Sequence, residues 1–85
     1  MSTPFQTAVK STVHHTHRRD AIDRLIESDE RLNLSVIVQL DGLRGEFRRQ
    51  ALEGLADCRA TAELETLAEE QTLEPALRRR ARDLA

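Results

Sequence analysis

The chain repeats itself. Laid on itself at an offset of 30 residues, "HRRDAIDRLIES" (17–28) falls on "FRRQALEGLADC" (47–58) and then on "LRRRARDLA" (77–85). Arg18, Arg48 and Arg78 coincide, as do Arg19, Arg49 and Arg79, and as do Ala21, Ala51 and Ala81. Ile22 meets Leu52 and Leu25 meets Leu55. The segments before them, 11–16, 41–46 and 71–76, each carry one apolar residue in register, at Val13, Leu43 and Leu73. A period of this length implies one supersecondary unit used three times, each unit burying its apolar face only against a neighbour.

The period also decides an ambiguous stretch. In "RLNLSVIVQLDG" (31–42), Leu32, Leu34, Val36, Val38 and Leu40 alternate as in a half-buried strand, and Asp41-Gly42 is a hairpin-type turn. The same places thirty residues on hold "TAELETLAEEQT" (61–72), where Leu64, Leu67 and Ala68 mark a helical face. Residues 31–41 are therefore expected to be helix, with Leu34, Ile37 and Val38 inside. Val36 and Leu40 are then surplus apolar residues, left for another contact.

Six helices follow, over about 4–11, 16–27, 30–41, 46–57, 61–71 and 75–84, forming three antiparallel pairs. The first opens with Thr3 as a cap, Pro4 at the first helical position and Gln6 at the third, and its apolar face is Phe5, Ala8 and Val9. Gly45 and Pro75 mark later helix starts. Gly54 lies inside a helix at a cost of about 1 kcal/mol, which implies a close helix approach.

The arginine pair opening the second helix of each unit, the alanine after it and the i, i+4 leucines resemble short HEAT-like repeats, including those related to phycobilisome-lyase repeats. The resemblance implies an all-α fold, a small right-handed α-solenoid of about three helical hairpins. The chain is then one domain, 1–85, with units at about 4–27, 30–57 and 61–84. It also implies an acidic loop residue for the repeat arginine, yet Arg44 and Glu74 stand at the equivalent positions here. Such repeats serve as docking surfaces, inhibitors, scaffolds and subunits, so the resemblance speaks to architecture more than to function.

Composition narrows the function classes. Net charge is −2, so no bulk positive field draws the molecule to nucleic acid or anionic lipid. The longest apolar run is Val36-Ile37-Val38, far short of a membrane span. The single cysteine, Cys58, cannot form an internal disulfide and no secretion-type leader opens the sequence, so a reducing cytoplasm is the expected setting.

Four groups of residues are candidates for chemistry or recognition. Arg19, Arg49 and Arg79 each have an acid four residues on, at Asp23, Glu53 and Asp83, which is helical ion-pair spacing. Arg18, Arg48 and Arg78 have none, and they lie near helix starts, where the macrodipole disfavours cations. They call for an acid on an adjacent helix pair or for an acidic partner. The cluster His14, His15 and His17, with Asp20 a turn beyond, could hold a transition metal, or be simply a polar loop. Cys58 has no base placed beside it in sequence, and a thiol nucleophile needs one. The fourth group is the apolar surplus, Val36 and Leu40.

No phosphate loop, paired catalytic carboxylates or serine-nucleophile motif occurs. With no cofactor motif either, the sequence reads as a non-enzymatic protein-binding module: an adaptor, inhibitor or regulatory subunit. Its partner would be another protein or a second copy of itself in a homo-oligomer. Alternatives are a self-assembling structural protein and a nucleic-acid binder using the arginine ladder. Against the last stand the interleaved acids and the presence of only two aromatics, Phe5 and Phe47, both at core positions.

Overall fold

The computed structural model describes residues 3–10 and 13–85. It is all-helical over them: α1 (Thr3–Val9), α2 (His15–Glu27), α3 (Arg31–Val38), α4 (Gly45–Asp57), α5 (Thr61–Ala68) and α6 (Pro75–Leu84), with no strand among the described residues. Residues 31–38 are helix, so the alternating pattern there is not a strand. Each short helix packs on the longer one that follows it, α1 on α2, α3 on α4 and α5 on α6, while α2 packs on α4 and α4 on α6.

The short helices end earlier than their periodicity predicts. α3 stops at Val38 rather than 41 and α5 at Ala68 rather than 71. In both, the next amide bonds tighten to i→i−3, from Gln39 to the Val36 carbonyl and from Glu69 to the Thr66 carbonyl. This tightening lets the chain turn back within six residues. Ser11, the expected end of the first helix, lies outside the described residues.

The predicted apolar faces form the core. Ala21, Ile22 and Leu25 of α2 are buried, and so are Ala51, Leu52 and Leu55 of α4 and Leu34, Ile37 and Val38 of α3. Phe5, Ala8 and Phe47 join them, with Val9 half-buried against the cluster. These positions fall one or two to a turn, so each long helix turns one stripe inward and keeps the rest polar.

Two backbone features set how the elements meet. α2 and α4 both end in a Schellman turn. The Asp29 and Glu30 amides return to the Ile26 and Leu25 carbonyls, and the Arg59 and Ala60 amides to Ala56 and Leu55. This places Asp29 (φ 56°) and Arg59 (φ 55°) in the left-handed region without being glycine. The second feature is Gly54, whose missing Cβ is filled by Ile26 of α2. A Cβ built at residue 54 would stand 2.4 Å from Ile26 Cγ1.

Opposite outcomes are expected at these positions. Arg59→Gly relieves the left-handed residue and should raise stability by up to about 1 kcal/mol in urea unfolding. Gly54→Ala, although it improves helix propensity, should lower stability by about 1–3 kcal/mol through overpacking. Ile26→Ala should cost less in the Gly54→Ala background than alone, the coupling that a direct contact between the two residues predicts.

Candidate functional site

The first arginine of each doublet is drawn inward. Arg18 is 9% exposed and Arg48 2%. Arg18 Nε donates to the Ala8 carbonyl at 2.8 Å and its Nη2 to the Lys10 carbonyl. Arg48 Nε donates to the Val38 carbonyl, also at 2.8 Å. A helix leaves its last carbonyls without intrahelical partners, and each arginine supplies donors to the end of the helix before its own.

The two cations are balanced differently. Arg48 Nη1 bonds Glu74 Oε1 at 2.9 Å, and Asp41 lies 3.7 Å from Nη2. Arg18 has no carboxylate within ion-pair distance among the described residues. Its guanidinium carbon lies 5.3 Å from the centroid of the Phe47 ring, a cation–π contact. Arg78 departs from both. Arg82 Nη2 bonds the Ala68 carbonyl at 3.3 Å, and Arg78 Nε is buried with no hydrogen-bond partner.

Ion pairs at the doublets run across helices instead of along them. Arg19 lies 3.7 Å from Glu46, and Asp23 accepts from Gln50 Nε2 at 2.9 Å. Glu53 takes both Nε and Nη2 of Arg80, at 2.6 and 3.0 Å. The expected i, i+4 pairs with Asp23, Glu53 and Asp83 are not made among the described residues; Asp23 and Glu53 turn instead to the neighbouring long helix. The Arg80 guanidinium holds the Glu53 carboxyl below the usual glutamate range.

The histidine rings gather around His14. His14 caps α2 by accepting the Thr16 amide on Nδ1, the His14 and His15 rings stack at 4.3 Å, and His17 meets His14 edge-on at 6.3 Å. Among the described residues no group of three potential ligands is placed to hold a metal ion. Cys58 closes α4, half-buried, with Sγ 3.5 Å from the Ile26 carbonyl. Burial, and after it the Asp29 carboxylate, pushes its thiol up, away from the reactive thiolate.

The apolar surplus splits. Val36 is 40% exposed on α3, but Leu40 lies beyond the helix end, half-buried, in a cleft with Val9, Arg18, Gly42, Leu43 and Arg44. The companion of Val36 is Leu32, one turn earlier and 77% exposed. Its place in the alternating run was a visible signal, since i and i+4 share a helix face. Ser35 lies near it, and the surface continues to Ala62, Glu63 and Thr66 of α5.

No protein family, curated protein or solved structure matches the chain. The site is therefore read from its own geometry: one exposed apolar pair on α3, two buried arginines that close helix ends, and one cleft with cations on its walls.

Arg48→Ala should lower stability by about 2–3 kcal/mol, because the Val38 carbonyl loses its donor and a large buried side chain is removed. Glu74→Gln should change it by less than about 1 kcal/mol, as Glu74 is largely exposed. Glu53 and Asp29 both have folded-state values below their ordinary ones, through Arg80 and Arg31 respectively. Their stabilisation is present at neutral pH and is lost as pH falls through those values. The unfolding midpoint should drop between about pH 5 and pH 3, less steeply in Glu53→Gln.

Proposed function

We propose that this chain is a non-enzymatic protein-binding module, an adaptor, inhibitor or regulatory subunit, built as a right-handed α-solenoid of HEAT-like helix pairs and working in the cytoplasm. The observation that carries the reading is the exposed apolar pair Leu32 and Val36. Two aliphatic side chains one turn apart on an eight-residue helix, Arg31–Val38, form a contact surface that a water-facing helix does not need. The helix keeps Leu34, Ile37 and Val38 for the core, so the pair is additional to folding. Polar neighbours Ser35, Asn33 and Glu63 rim it, as interfaces are rimmed.

Several features weigh for this reading over its rivals. Arg18 and Arg48 spend donors on carbonyls inside the fold, which weakens an arginine track for phosphates. The raised Cys58 thiol, and histidine rings that stack on one another instead of forming a three-ligand group among the described residues, offer little to an enzyme or a metal site. Self-association through Leu32 and Val36 is the second reading, since a two-fold contact can use one patch on both copies.

Leu32→Glu/Val36→Glu is the test. The variant should keep its helical circular dichroism and its unfolding midpoint, and lose the proteins that the wild type retains from a nuclease-treated native extract. If the wild type retains only itself, and its solution mass halves in the variant, the self-association reading replaces the adaptor. Unchanged retention, or loss of helical structure, overturns both.

A further inference from the structure

The cleft of about 440 Å³ between the end of α1 and the turn before α4 is lined by Val9, Leu40 and Leu43, by Gly42, and by Arg18 and Arg44. We propose that it is a receptor for a carboxylate, a glutamate side chain on an acidic segment of the partner protein. This deepens the protein-binding reading and rests on it.

The argument comes from comparing two places thirty residues apart. At the second, Arg48 closes the end of α3 and Glu74, the residue just before α6, bonds its Nη1 at 2.9 Å. At the first, Arg18 closes the end of α1 in the same way, but the residue just before α4 is Arg44. A cation therefore stands where the fold elsewhere puts the carboxylate. Arg18 is nine-tenths buried with Nε and Nη2 committed to carbonyls, and its Nη1 makes no hydrogen bond among the described residues. The Phe47 ring is the compensation within reach.

Arg44 adds to the imbalance. It is the residue at the α4 N-cap, where the helix dipole disfavours positive charge, and its nearest carboxylate, Glu46, stands 3.6 Å away at the surface. Among the described residues no acid lines the cleft. A guanidinium pair takes an oxyanion by charge-assisted hydrogen bonds, and the position of Glu74 on Arg48 shows that a carboxylate suits this corner of the fold. The aliphatic walls Val9, Leu40 and Leu43 match the methylenes of a glutamate better than they match a bare phosphate.

The experiment uses the full chain, ¹⁵N-labelled, titrated with an end-capped hexaglutamate peptide, with hexaglutamine as control and inorganic phosphate as a separate arm, all at constant ionic strength. The Arg18 and Arg44 Nε–H signals and the Gly42 and Leu43 amides should shift saturably with hexaglutamate and not with hexaglutamine. Arg44→Glu supplies the carboxylate from within the chain, so the variant should bind the peptide about tenfold more weakly or worse. Absence of a saturable shift, equal binding by Arg44→Glu, or saturation by phosphate at lower concentration than by hexaglutamate would overturn the proposal. Leu32→Glu/Val36→Glu leaves the cleft intact, so failure of the docking face is told apart from failure of the carboxylate site.

Discussion

The fold depends on a side chain from one helix completing the end of another. α1, α3 and α5 are only seven or eight residues long, so the carbonyls without intrahelical partners are about half of all those they have. Isolated helices of that length do not persist in water. Arg18 and Arg48 reach back ten residues to bond the carbonyls of Ala8 and Val38, and the short helix and the long one are thereby fixed together. A cation near the start of its own helix, unfavourable locally, becomes favourable because it faces the negative end of the preceding one.

Much of this was legible in the sequence, and the illegible part has definite causes. The thirty-residue offset located all six helices and turned residues 31–38 from strand to helix, because Leu64, Leu67 and Ala68 fix the face. Gly54 announced a close approach, and Ile26 fills it. The ends of α3 and α5 were missed by three residues each, since the tightening that stops them is a backbone event with no residue signature. Asp29 and Arg59 gave no sign of their left-handed conformation, for which glycine is the usual marker. Ion pairs read along one helix were misassigned: Glu53 sits four residues from Arg49 but binds Arg80, whose forked guanidinium meets it from the next long helix.

The candidate site was legible in kind and not in membership. The arginine register was visible, but not that two of its members would be buried and the third displaced by Arg82. Val36 was visible as surplus, and Leu32, one turn earlier in the same alternating run, carried the same signal. Leu40 belongs with the arginines instead of with Val36, because α3 ends two residues before it. The contrast between Arg44 and Glu74 was present in the sequence as a departure from a pattern. Only the Arg48–Glu74 contact gives that departure a physical meaning.

The contact of Gly54 with Ile26 reaches further than its own packing. It lies where α2 and α4, the two longest helices, press together, and the short helices α1 and α3 pack on them in turn. Added volume there acts as a wedge between two levers. One absent methyl group thus sets how closely the two longest helices approach one another.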